Sequence, residues 1–236
     1  MENVKGEEWY QEDEVAQSYD EKRFSRGGQH IDRREKEAVL DALGPVEDRE
    51  ILEIACGTGR FTTMLAGRGA DIVGLDISGP MLQQGRERAA SAGVTDLNLL
   101  RGDAARLPFR DNQFDAVFAM RFFHLADRPE TFLREMRRVS RTQVFFDTFN
   151  LFSTRVLYNW ALPMGSRLYS GQGVRDLLDS ADLNLVEAEH DWIAPYGFYR
   201  QIPNSIAGPV RTLDRAVVET SVGKYAASVS YWNAQL

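Results

Sequence analysis

The sequence predicts one α/β domain with a mostly parallel sheet covered by helices on both faces. Three observations carry this. Between residues 50 and 150, short apolar runs alternate with patterns of helical period. The first run ends in a glycine-rich turn directly before a helix, as in nucleotide-binding crossovers. The 236 residues contain no Pro/Gly/Ser-rich stretch long enough to be a linker, which suits a single domain.

The elements follow in order. Residues 14–19 and 32–43 read as helices of an N-terminal flank or lid, the second stopped by Gly44 and Pro45. Residues 51–55 form the first strand, and Phe61, Met64, Leu65 and Arg68 then fall at three- and four-residue spacing on a helix. Residues 72–75 form a second strand, and Ser78 caps a helix with Pro80 in its first turn that runs to about Ala92. Strands at 97–100, 114–120 and 143–149 follow, with a helix at 129–139. The aromatic-rich stretch 151–169, broken by Pro163, reads as an insertion near the mouth of the sheet. A helix at 174–181, a strand at 183–192 and a helical run near 213–218 come next, and residues 226–232 make a last, antiparallel edge strand.

Composition narrows the function. The 28 basic and 35 acidic side chains leave a formal charge of -7, which disfavours a general nucleic-acid binder. A single cysteine, Cys56, excludes an internal disulfide or a zinc site built on several thiolates and suits a reducing cytoplasm. The acidic start of the chain does not resemble a signal peptide, and no run approaches the roughly 18 apolar residues of a membrane span.

The chemistry sits in the loops after the strands. In Glu53-Ile54-Ala55-Cys56-Gly57-Thr58-Gly59, small residues directly after a buried strand let the chain turn tightly and let a ligand approach its backbone. Alone, this turn is common. Asp76 ends the second strand 17 residues after Gly59, where a carboxylate's two oxygens can accept both hydroxyl hydrogens of a ribose. The bland alternative is a strand-end cap. In Arg101-Gly102-Asp103-Ala104, Asp103 suits an adenine's exocyclic amine while Ala104 leaves room for the ring, or it makes only an Asx turn.

With these residues in place, the chain resembles a class I methyltransferase dependent on S-adenosylmethionine (SAM), of the methyltransferase domain 11 type. The matching motifs are the run from Ile51 to Gly59, Val73-Gly74-Leu75-Asp76-Ile77-Ser78, the run from Gly102 to Phe109, and Phe114-Asp115-Ala116-Val117. The resemblance implies a Rossmann-like class I fold with a seven-stranded, mostly parallel sheet, an antiparallel last strand, an N-terminal helical lid and an insertion after the fifth strand. It implies that Glu53 orients the amino group of the methionine moiety and that the backbone from Ala55 through Cys56, Gly57 and Gly59 lies against it. Asp76 would hold the ribose, Ile77 and Met81 would flank the adenine, and Gly102, Asp103 and Ala104 would face its edge. Met120, Arg121 and Phe122 would border the cofactor and face the substrate. The family usually has glycine where this chain has Ala55.

The flanks resemble ubiquinone/menaquinone C-methyltransferases loosely, through Tyr19-Asp20 with Arg23, Phe24, Ser25 and Gly28, and through the run from Leu157 to Pro163 with Gly165. On that resemblance Tyr19 covers the methyl-bearing end of the cofactor and the aromatics of the insertion wall an apolar acceptor; the alternative is that they simply pack. His124, just beyond the fourth strand, is the candidate general base because imidazole titrates near neutrality. A surface histidine is the competing reading. No metal site is expected from three scattered histidines, and Cys56 lacks a neighbouring base.

The expected function is methyl transfer from SAM, leaving S-adenosylhomocysteine (SAH), to a small apolar, aromatic or quinone-like molecule. One domain would span 1–236, with a flank at 1–45, a SAM-binding core at 46–150 and substrate-side insertions and last strands at 151–236. A non-catalytic SAM-binding scaffold or sensor is the alternative. A nicotinamide-dependent oxidoreductase fits less, since the glycine after Gly57 and Gly59 comes only at Gly67. Expected partners are a small-molecule substrate and no nucleic acid, with no membrane span; a homodimer is compatible with the sequence.

Overall fold

The computed structural model describes residue 23 and residues 25–95, 97–159 and 165–236. The helix expected at 14–19, together with Tyr19, lies outside these residues, as do Phe24 and Trp160. Eight strands are present: β1 (Glu50–Ile54), β2 (Asp71–Asp76), β3 (Asn98–Arg101), β4 (Phe114–Ala119), β5 (Ser140–Asn150), β6 (Leu168–Tyr169), β7 (Asn184–Asp191) and β8 (Val229–Gln235). They form one sheet in the order β3-β2-β1-β4-β5-β8-β7, with β6 paired beside the end of β5. The first six run parallel where they pair, while β8 is antiparallel to both β5 and β7.

Consecutive apolar residues build this sheet because both of its faces are covered. Leu52, Val117 and Phe146 belong to one core, with Phe132, Leu133 and Met136 of helix α4 (Pro129–Val139). Their neighbours Ile51, Phe118 and Phe145 belong to the other, with Ile31 and Val39 of α1 (Gly28–Leu43) and Phe61 and Leu65 of α2 (Arg60–Ala66). The alternation follows the two-residue period of a strand. In α3 (Gly79–Ser91) the expected cap is present: the Ser78 hydroxyl accepts the Met81 amide at 3.2 Å.

Two expectations change, and the choice between flank and lid is narrowed. The segment at 32–43 is a structural flank: α1 starts at Gly28 and buries Ile31, Val39 and Leu43 in the core. Its start presses against α6 (Tyr196–Gln201), where a side chain at Gly27 would meet the Tyr199 carbonyl oxygen. The last strand is not an edge. β8 lies between β5 and β7, and Val229, Ser230, Tyr231 and Trp232 are all buried. A strand covered on both faces gains most inside the sheet, and the Trp232 indole donates to Thr148 Oγ1 on β5 at 2.8 Å. The half-exposed β7 takes the edge instead. Finally, the insertion contributes an eighth strand, the two-residue β6, which pairs Phe149 with Leu168.

Past the sheet, α5 (Gly171–Asp179), α7 (Asn204–Val218) and α8 (Ser221–Ala226) complete the described helices. The region from 195 to 223 is therefore more helical than the single run expected there. The insertion reaches back over the end of β4: the Arg167 amide donates to the His124 carbonyl at 2.8 Å, and the Tyr169 hydroxyl to the Phe123 carbonyl at 2.8 Å.

Candidate functional site

Strand order reverses between β1 and β4, since β1 leads outward to β2 and β3 while β4 leads to β5. Such a switch point leaves a crevice at the carboxyl ends of the strands. A cleft opens there. It is lined by Ala55 and Gly57 after β1, Leu75, Asp76 and Ile77 at β2, Met81 on α3, Gly102, Asp103 and Ala104 after β3, and Met120, Arg121 and Phe122 after β4. Ten of the expected cofactor contacts thus meet in one place: Ala55, Gly57, Asp76, Ile77, Met81, Gly102, Asp103, Ala104, Met120 and Arg121.

Backbone geometry explains the turn. Ala55, Gly57 and Gly59 all have positive φ, at 54°, 54° and 65°, a region that disfavours any residue with a Cβ. Glycine is therefore the unstrained residue at 55, and Ala55 holds a left-handed conformation at some cost. At Gly57 a side chain would meet nothing within 4 Å, so this stretch of backbone is open to a ligand. Gly59 instead caps α2. At Gly102 a Cβ would lie 2.9 Å from Leu75 Cδ1, so that side chain would have to shift.

Asp76 is tied to the same turn. Its Oδ2 accepts the Gly57 amide at 2.7 Å and its Oδ1 accepts the Ser78 amide at 2.8 Å. Burial raises its pKa, and these amide bonds oppose the rise. The carboxylate thus links the β1 turn to the start of α3 while lining the cleft. Asp103 makes the Asx turn that was the bland alternative, with Oδ1 accepting the Ala105 amide at 2.8 Å. It still lines the cleft, so the two readings coexist.

Three expected cofactor contacts and the candidate base lie elsewhere. Glu53 is buried under the turn, where Oε2 accepts the Thr62 hydroxyl, and burial raises its pKa to about 8. It does not line the cleft. Cys56 is also behind the turn, buried, with burial holding its thiol well above the usual range, so it is poorly suited as a nucleophile. Gly59 serves the helix cap. His124 is neither on the surface nor in the cleft: it is buried against Phe149, with ring centroids 4.8 Å apart. Burial lowers its pKa well below 6.5, and the guanidiniums of Arg121, Arg155, Arg23 and Arg200 lower it further. The assumption of near-neutral titration fails because this imidazole is desolvated among cations; it is held neutral, as a weak acceptor.

The sequence reading passed over Leu75, Leu125, Ala126, Asp127 and Phe132, which also line the cleft. Leu125, Ala126 and Asp127 follow from topology, since the loop after the strand at a switch point must border the crevice, while Phe132 reaches it from α4. It also missed Asp147 on β5, a buried carboxylate whose Oδ1 accepts the Arg121 amide and whose pKa burial raises to about 6. That bond holds Arg121 in its left-handed conformation, φ 61°. No period or motif marks Asp147. Among the described residues, no three His, Cys, Asp or Glu side chains converge to hold a metal, and no helix is long and apolar enough to cross a membrane.

Strand order and switch-point cleft together define a Rossmann-like fold of the class I methyltransferase type. Residues 52–146 match the family model described as a methyltransferase domain, so the family resemblance holds for this core. The chain is 38% identical over 109 residues to a demethylmenaquinone methyltransferase of Renibacterium salmoninarum, covering 46% of this chain and 44% of that protein. It is 39% identical over 114 residues to a ubiquinone/menaquinone biosynthesis C-methyltransferase of Ruegeria sp., covering 46% and 45%. The chain thus matches less than half the length of these two relatives. Among solved structures, geranyl diphosphate C-methyltransferase from Streptomyces coelicolor A3(2) superposes with TM-score 0.67 at 16% identity, covering 88% of this chain and 80% of that one. At that identity the likeness shows the fold.

Proposed function

We propose that this chain is a SAM-dependent methyltransferase acting on a small molecule with an apolar or aromatic body. The convergence of Asp76, Asp103, the open backbone at Gly57 and the apolar walls Ile77, Met81 and Ala104 in one cleft carries the proposal. These residues fit an adenosyl group: acceptor oxygens for ribose hydroxyls and an amine, with apolar surfaces for a ring. When bound, the cofactor supplies a methyl group activated by its sulfonium. The chain's own contribution is alignment and exclusion of water. Asp76 would hold the ribose, Asp103 and Ala104 the adenine edge, and Met120, Arg121 and Phe122 would border the reacting end. Glu53, one layer behind the turn and bonded to Thr62 on α2, would act on the methionine moiety only indirectly.

Names of the relatives support a quinone-like acceptor: one is a demethylmenaquinone methyltransferase and the other a ubiquinone/menaquinone biosynthesis C-methyltransferase. The single domain over 1–236, the absence of nucleic acid from its partners and a reducing cytoplasm belong to the same proposal, supported by the formal charge of -7 and one buried cysteine. So does a homodimer, for which Leu213, Val217 and Val222 on the last two helices are exposed apolar residues; sedimentation velocity tests it. A crystal structure with SAH tests the cofactor assignment. The ribose hydroxyls should lie within hydrogen-bond distance of Asp76, and an adenosyl group bound elsewhere would overturn it.

A further inference from the structure

Beyond the cleft, the insertion after β5 brings a cation to a place where, among the described residues, no acid meets it. Arg155 sits in the 3-10 turn Thr154–Leu157, with its guanidinium 3.6 Å from the centroid of the Phe149 ring. Arg121, which lines the cleft, lies 4.6 Å from the same centroid, and His124 meets the ring edge-on. Two guanidiniums therefore share one aromatic ring at the substrate end of the site.

Their charges are answered unequally. Arg121 faces Glu35, with Nε to Oε1 at 3.8 Å, and the Asp147 carboxylate. Arg155 donates to Ser166 Oγ at 2.8 Å and has the Tyr158 hydroxyl as a further hydrogen-bond partner. Among the described residues no carboxylate pairs with it, and its Nε is buried without a hydrogen-bond partner. Burial, followed by the charge of Arg121, pulls its pKa down to about 10. Stacking on Phe149 offsets only part of the cost of taking a cation out of water. Packing alone does not explain Arg155.

We propose that Arg155 and Arg121 together bind an oxyanion, a carboxylate or a phosphate, carried by the methyl acceptor. Guanidinium offers planar, directed donors suited to either group. An anion there would neutralise the repulsion between the two cations and satisfy the buried Nε. Because Arg121 also borders the cleft, the anion would lie next to the reacting end and fix which atom of an apolar or aromatic body faces the methyl group. This rests on the cofactor reading above and narrows its substrate to a molecule with an apolar body and an anionic handle.

The test compares thermal melts of the full-length wild type with those of Arg155→Met, which keeps an apolar stem, and Arg155→Lys, which keeps the charge without the planar fork. Each is measured with SAH present and with three probes: phenylacetate, its neutral counterpart phenylacetamide, and inorganic pyrophosphate. Phenylacetate or pyrophosphate should raise the wild-type Tm by several degrees and Arg155→Met by under one degree, with Arg155→Lys in between and phenylacetamide shifting none. The response to one anion over the other identifies carboxylate or phosphate. Without a probe, Arg155→Met should melt at or above the wild type. Equal anion shifts in wild type and Arg155→Met, no shift in the wild type, or a Tm of Arg155→Met several degrees below wild type would each overturn the proposal. SAH binding is measured separately by calorimetry; its absence would strike the cofactor reading, while unchanged SAH affinity with no anion effect would strike this inference alone.

Discussion

Replacing Asp76 with asparagine separates the two roles that geometry gives this side chain. Its oxygens accept the Gly57 amide at 2.7 Å and the Ser78 amide at 2.8 Å, so it both holds the loop and lines the cleft. Asparagine keeps one acceptor and turns the other oxygen into an NH2 group facing an amide donor. The loop then loses one hydrogen bond to a charged acceptor, about 1.5–3 kcal/mol. A ribose hydroxyl donating to that oxygen loses an interaction of the same class, and at about 1.4 kcal/mol per tenfold the affinity should fall roughly 10- to 150-fold. Calorimetric titration with SAH at 25 °C measures this on protein shown to be folded by its thermal melt. Both quantities should drop. A variant that melts lower but binds SAH within twofold of wild type would refute the reasoning and leave Asp76 as a loop staple.

Three further changes follow from burial and backbone strain. Glu53 keeps its proton up to about pH 8 when folded and loses it near 4.5 when unfolded, so the folded state binds more protons in that window and stability falls as pH rises through it. Glu53→Gln should flatten the decline, by on the order of a few kcal/mol, in denaturant titrations from pH 5 to 9; the same slope in both proteins would contradict it. His124, with its pKa held well below 6.5 by burial and four arginines, should show no imidazole titration by NMR between pH 6 and 8, and a midpoint near 6.5 would mean that it is solvated. Ala55→Gly relieves a left-handed alanine, about 1–2 kcal/mol, against about 0.4–1 kcal/mol of added unfolded-state entropy. The melt should therefore be unchanged or slightly raised, whereas a loss above about 2 kcal/mol would show that the methyl group packs.

The parallel core was legible because each strand there carries consecutive apolar residues and ends at a polar or glycine-rich loop. Ser78 and Pro80 announced α3, and Pro129 opened α4 at the expected residue. The placement of β8 was not legible, because its alternation of Ser with Tyr and Trp is compatible with an edge; only its pairing with both β5 and β7 shows that it lies inside the sheet. In the site, residues that line the cleft through sequence-adjacent turns were readable, as Asp76 and Asp103 illustrate. Residues whose role depends on depth were not. Glu53 and His124 were placed by chemical type, yet burial moves one behind the turn and makes the other a neutral ring. Asp147 and Arg155 act on Arg121 from β5 and from the loop beyond it, and nothing in their local sequence points to that partner.

Incubation of the protein with methyl-labelled SAM and a small-molecule metabolite extract tests the central claim most directly. The account predicts label transferred to an organic acceptor in proportion to enzyme, with SAH accumulating in equal amount. Tight, saturable SAM binding with no transfer to any acceptor would contradict it and leave the chain as a SAM-binding scaffold.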